Sequence, residues 1–89
     1  MSWDFEFTDA ARKQFRKLDL TVQKRILKYL SERITEGEDP RRAANPLLGD
    51  FTGLWRYRVG DYRVICEMRD KVMIVLVVKI AHRREIYDR

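Results

Sequence analysis

The stretch from Leu54 to Met68 restricts the fold more than any other. Two segments rich in β-branched and aromatic residues flank Gly60-Asp61: Leu54-Trp55-Arg56-Tyr57-Arg58-Val59 and Tyr62-Arg63-Val64-Ile65-Cys66-Glu67-Met68. Two strands joined by a tight turn are expected. Successive side chains of a strand point to opposite faces. Trp55, Tyr57 and Val59 therefore share one face, and Arg56 and Arg58 take the other. In the second strand Tyr62, Val64, Cys66 and Met68 share a face, and Arg63 lies opposite with Ile65 and Glu67. Three guanidiniums are thus expected on neighbouring strands of one sheet, backed by an aromatic and apolar layer. Forked guanidinium donors match phosphate oxygens, so such a face suits a phosphate chain.

The remaining segments read as scaffold. Trp3-Asp4-Phe5-Glu6-Phe7 alternates apolar and acidic residues, as in a short edge strand with its rings turned to a core. Thr8 caps a helix with Asp9 in its first turn and an apolar stripe of Ala11, Phe15 and Leu18. Asp19 is placed to cap a longer helix with the stripe Val22, Ile26, Leu30 and Ile34, widened by Leu27 and stopped by Gly37 in the C′ position before Pro40. The short connection makes these helices an antiparallel hairpin, and their lysines and arginines read as a solvated face, with a secondary RNA contact as the alternative. Glu38 to Gly53 reads as an irregular loop, anchored to the core by Leu47, Leu48 and Phe51. After the polar turn Arg69-Asp70-Lys71, the apolar run Val72 to Val78 reads as a central strand buried on both faces, ended by Lys79-Ile80-Ala81. The fold class expected is α+β: an N-terminal strand, a helical hairpin, and a three-strand antiparallel meander, forming one twisted sheet with its arginine face open.

The 89 residues make one domain with a modest core. Their 45% hydrophobic and 37% charged residues describe a globular chain. No apolar run spans a bilayer, and Met1-Ser2-Trp3-Asp4 does not begin a secretory leader, so the cytoplasm is the expected location and no membrane partner is expected. The single cysteine, Cys66, falls on the apolar strand face and reads as a buried thiol in a reducing compartment. One cysteine and one histidine do not make a structural zinc site, and no metal or cofactor is expected. The net charge of +5 is compatible with a polyanionic partner, and equally with mere solubility; the clustering of the arginines decides between them.

RNA carries its own nucleophile, the 2′-hydroxyl. A protein that cuts it without metal must align that hydroxyl, stabilise charge building on the phosphate oxygens and move two protons. Arginines suit the second task, and tyrosine and histidine the third. The chain offers Arg56, Arg58, Arg63 and Arg83 for the charge, and His82 and Tyr87 for the protons.

At these residues a resemblance arises. Trp55-Arg56-Tyr57-Arg58-Val59-Gly60-Asp61-Tyr62-Arg63-Val64-Ile65, followed by His82-Arg83-Arg84-Glu85-Ile86-Tyr87, resembles the RelE toxin family of the RelE/ParE superfamily of type II toxin–antitoxin systems. The likeness extends over nearly the whole chain. It implies a ribosome-dependent mRNA endonuclease that cuts A-site mRNA by 2′-hydroxyl attack, leaving a 2′,3′-cyclic phosphate, and so inhibits translation. By position, Arg56 and Arg58 match the basic residues that contact the scissile phosphate. Arg63 matches the arginine that stabilises the transition state. Arg83 matches a general acid or leaving-group stabiliser, and Tyr87 the tyrosine that stacks on an mRNA base and assists the 2′-hydroxyl. The family's best-known member has lysines where this chain has Arg56 and Arg58. Arginine effectively cannot accept a proton, so the base must be Tyr87, His82, ribosomal RNA or water. The resemblance further implies an acidic RelB-like antitoxin, the ribosome and mRNA as partners, and operator DNA only through the toxin–antitoxin complex. Two other functions share the scaffold: a ParE-like inhibitor of DNA gyrase, and a non-catalytic nucleic-acid-binding relative.

Overall fold

The computed structural model describes residues 2–84. Its centre is a mixed five-stranded sheet in the order β1-β5-β4-β3-β2, formed by β1 (Asp4–Phe7), β2 (Asn45–Pro46), β3 (Leu54–Val59), β4 (Tyr62–Arg69) and β5 (Ile74–His82). β1 is an edge strand, as its alternating pattern predicts, and pairs parallel to β5. β3, β4 and β5 form the expected antiparallel meander. Two helices, α1 (Asp9–Arg16) and α2 (Leu20–Leu30), pack on one face, α1 against β5 and α2 against β3.

Local chemistry accounts for the helix ends. The Thr8 hydroxyl accepts from the Ala11 amide at 3.1 Å, capping α1. Asp19 occupies the N-cap of α2 but its side chain makes no capping bond; Gln23 instead donates to the Leu18 carbonyl at 2.8 Å and fixes the turn. After Leu30 the helix widens into a π turn, Ser31–Thr35, with the Glu36 amide bonded to Ser31 O at 2.9 Å. Gly37 closes it, and a Cβ there would stand 2.6 Å from Arg33 O. Close approach of backbone, rather than a left-handed cap, is what selects glycine at this position.

The core lies between helices and sheet: Ala11, Ile26, Leu30 and Ile34 meet Tyr57, Val59, Val64, Cys66, Val75, Val77 and Ile80. Each expected inward stripe is present except at Leu27, which is exposed, while Tyr29 packs in its place against the Tyr57 ring. Tyr57 is fully buried, and its hydroxyl donates to Pro40 O at 2.6 Å. Burial pushes both the Tyr57 phenol and the Cys66 thiol above their ordinary values, so each stays protonated.

Three expectations change. β5 begins at Ile74, because Asp70 to Met73 form a four-residue turn with Met73 left-handed (φ 56°) and Val72 63% exposed. It also runs on to His82, past the expected stop at Ala81. The loop from Glu38 contains two 3-10 turns, Pro40–Ala43 and Gly49–Phe51, with β2 between them. Pro40, Ala43 and Ala44 are what tie it to the core side, whereas Leu48 is 81% and Phe51 46% exposed. Leu47 and Phe51 instead border the sheet's other face. The loop is clamped by Arg41, which donates to both Asp70 oxygens at 2.9 and 2.8 Å and lies over the Trp55 ring.

Candidate functional site

Pairing in the meander fixes where the arginines go. Arg58 is the register partner of Arg63, and Arg56 of Ile65. Directly opposed residues of an antiparallel pair share a face, with Cα atoms ~4.5–5.5 Å apart. Two like charges in that relation repel. Arg56, Arg58 and Arg63 therefore belong to the sheet face away from the core, as the alternation predicts.

Their surroundings differ. Arg63 is only 4% exposed, and its Nη1 donates to Tyr62 O at 3.2 Å and Gly60 O at 3.4 Å. Its Nε is buried without a hydrogen-bond partner, and so is that of Arg56. Neither guanidinium, nor that of Arg58, has a carboxylate partner among the described residues. A buried cation without a counter-ion is costly.

The Gly60-Asp61 turn gathers further cations. The Arg83 amide donates to Asp61 O at 2.7 Å, and the Arg83 Nη1 stands 3.8 Å from Asp61 Oδ1. Gly60 is left-handed (φ 60°), and the space its Cβ would fill is held by the Arg25 guanidinium, 2.9 Å away. Arg25, Lys28, Tyr29 and Glu32 of α2 line a groove of about 320 Å³ with Arg58, Val59 and Gly60. Arg58 thus stands where the sheet edge turns toward α2. Arg25 and Lys28 are exposed, as the reading of the helix cations as a solvated face expects; their spacing puts both on one helix side, but nothing in the sequence says that this side meets the turn.

His82 is the register partner of Tyr62, and the two rings meet edge to face at 5.3 Å. Tyr62 packs against the core, so His82 faces the helix side, in a groove with Gln14, Lys17 and Leu18. The sheet lies between it and the arginine face. The His82 Nδ1 accepts from the Arg84 amide at 3.3 Å. Tyr87 lies outside the described residues. Among the described residues, no three His, Cys, Asp or Glu side chains gather to hold a metal, and no helix is long and apolar enough to cross a membrane.

Two helices packed on one face of a five-stranded sheet, with three arginines on the other face, define a small α+β module. The chain belongs to the RelE/ParE toxins: the family model for the ParE toxin of type II toxin–antitoxin systems matches residues 5–87. It is 32% identical, over 92 residues, to the mRNA interferase toxin RelE of Escherichia coli, covering 99% of this chain and 93% of that protein. A solved structure of E. coli RelE, mutated at two arginines and complexed with a peptide of the antitoxin RelB, matches with a TM-score of 0.73 at 31% identity, covering 98% of this chain and 92% of that one. The toxin–antitoxin complex RelBE2 of Mycobacterium tuberculosis shares the fold, with a TM-score of 0.82 at 24% identity over 93% of this chain and 100% of that one.

Proposed function

We propose that this toxin is a metal-independent, ribosome-dependent mRNA endonuclease. The observation that carries the reading is Arg63: a guanidinium 4% exposed, its Nε without a hydrogen-bond partner among the described residues, on the sheet face away from the core, opposite Arg58 and beside Arg56. Guanidinium donors with no carboxylate partner among the described residues are suited to a phosphate whose charge increases during reaction. The relation to an mRNA interferase, at 32% identity, points the same way.

In this reading the 2′-hydroxyl attacks its own phosphate, held by Arg56 and Arg58. Arg63 takes the growing equatorial charge. Arg83, tethered to the turn, stabilises the 5′-oxygen as it leaves, and the products are a 2′,3′-cyclic phosphate and a 5′-hydroxyl. Tyr87, or a group or water of the ribosome, accepts the proton; His82 would act only from the sheet's other side. The partners are mRNA on the ribosome, an acidic RelB-like antitoxin, and operator DNA through the antitoxin complex. The working compartment is the cytoplasm.

Because the matching family model is that of ParE toxin, gyrase inhibition is the second reading. Mapping mRNA 5′ ends after induction separates them. Cuts within codons support the endonuclease; a DNA-damage response with intact mRNA supports the alternative. Arg63→Ala and Arg83→Ala should each slow cleavage by about 10²–10³-fold. Undiminished growth inhibition by both variants rejects the assignment.

A further inference from the structure

The two-residue turn Gly60-Asp61 holds two of the site's arginines by different atoms. Arg63 Nη1 donates to Gly60 O at 3.4 Å. The Arg83 amide donates to Asp61 O at 2.7 Å, which extends the β4–β5 ladder one step past the Tyr62–His82 pair. Ala81 is the register partner of Arg63, so Arg83 is its diagonal neighbour, ~7–8 Å away by strand geometry. Arg58 is opposite Arg63 on the other side. Three cations thus converge beside one turn, and like charges so placed repel, which drives the freest of them outward.

The Asp61 carboxylate opposes that drift. Its Oδ1 stands 3.8 Å from Arg83 Nη1, whereas Arg56, Arg58 and Arg63 have no carboxylate partner among the described residues. At that distance the contact is an ion pair without a hydrogen bond. Both side chains are more than half exposed, 58% for Arg83 and 66% for Asp61, so the pair adds little to stability. What it supplies is direction. A guanidinium carries five N–H donors on a planar fork, so one edge can stay beside Asp61 while the other faces a phosphate.

We propose that Asp61 is a positioning residue: its carboxylate aims the Arg83 guanidinium at the 5′-oxygen that leaves the phosphate held by Arg56, Arg58 and Arg63. This rests on the endonuclease reading and adds to it a residue that itself touches no substrate. As the P–O5′ bond breaks, its electron pair passes to the 5′-oxygen. The aimed guanidinium donates to that oxygen while charge builds, and water then protonates it. A carboxylate that only shapes the turn would slow every substrate alike. One that aims Arg83 matters only where the leaving oxygen needs a donor.

The test is single-turnover cleavage on ribosomes programmed with mRNA, with toxin varied to give the maximal rate and the half-saturating concentration. Asp61→Asn keeps the backbone carbonyl and the size of the side chain but removes the charge. It should lower the maximal rate about three- to fivefold, the most that an exposed ion pair is worth, and leave half-saturation within about twofold. Asp61→Glu should restore the rate. In the Arg83→Ala background, Asp61→Asn should have no further effect. A second mRNA carries sulfur in place of the scissile 5′-oxygen, and a thiolate leaves without a donor. On it Asp61→Asn should match wild type, while Arg63→Ala stays slow. The ratio of rates on the two mRNAs, taken within each variant, does not depend on how much of the protein is folded. An Asp61→Asn defect that is absent, that is equal on both mRNAs, or that adds to the defect of Arg83→Ala overturns the positioning role. Those outcomes leave the endonuclease reading standing, because wild type still cuts. Wild-type toxin that cuts neither mRNA on ribosomes refutes that reading itself.

Discussion

Replacing Arg63 with methionine should make the protein more stable and inactive together. The guanidinium is 4% exposed and, among the described residues, is unpaired by any carboxylate and bonded only to carbonyls at 3.2 and 3.4 Å. Those bonds are longer than the usual ~2.9–3.0 Å, and even good ones are worth only ~0.5–1.5 kcal/mol each. Against them stands an ion desolvated without a counter-charge, at an effective cost of several kcal/mol. Methionine retains the apolar stem and removes the charge. The balance favours Arg63→Met by about 1–3 kcal/mol, and at ~4–8 °C per kcal/mol for a domain of this size, the melting temperature should rise by roughly 4–24 °C. Circular dichroism melts of antitoxin-free protein at low salt measure it. Inorganic phosphate should raise the wild-type melting temperature and leave that of Arg63→Met nearly unmoved, because only a ligand of the native state stabilises it. A variant that melts several degrees below wild type would refute the argument, showing that the guanidinium supports the fold instead of straining it.

Tyr57→Phe should cost ~1–3 kcal/mol in urea titration, because the Pro40 carbonyl loses the 2.6 Å bond from a fully buried hydroxyl; an unchanged midpoint would mean that water replaces it. The hydrogen bond from Arg41 holds the Asp70 carboxyl below its ordinary range. A carboxylate depressed on folding contributes stability above its unfolded pKa, which is lost as pH falls through the folded value. The stability advantage of wild type over Asp70→Asn should therefore shrink below about pH 4, the unfolded value. A gap that persists to the acid end counts against the clamp.

Much of the scaffold was legible because it follows from periodicity. The alternation from Leu54 to Met68 put the arginines on one face and Tyr57, Val64 and Cys66 on the other, and the registers agree. The Thr8 cap and the Ile26, Leu30, Ile34 stripe follow from local spacing in the same way. What periodicity cannot convey is accommodation between distant segments. Arg63 was expected on an open face, yet it is nearly enclosed, because its side chain folds back on the Gly60-Asp61 turn. Phe51 and Leu47 look like core anchors in the sequence, since an apolar residue in a loop usually is one; here they border a groove. The bulge at Val78 breaks no pattern in an apolar run, so nothing marked it. His82 lies next to Arg83 in sequence, but one residue along a strand is enough to put it across the sheet.

The second strand of the sheet is only two residues long, and its pairing with β3 ends at Arg56. Beyond that point, as far as Val59, no further strand lies alongside among the described residues. A bare margin of this kind invites another copy to zip onto it. Arg58 stands on that margin, with Arg25 and Lys28 behind it. A second copy would bring the same cations against them and be turned away, while a polyanion would be drawn in. The charge on this margin thereby works against the pairing that its bare backbone would otherwise invite.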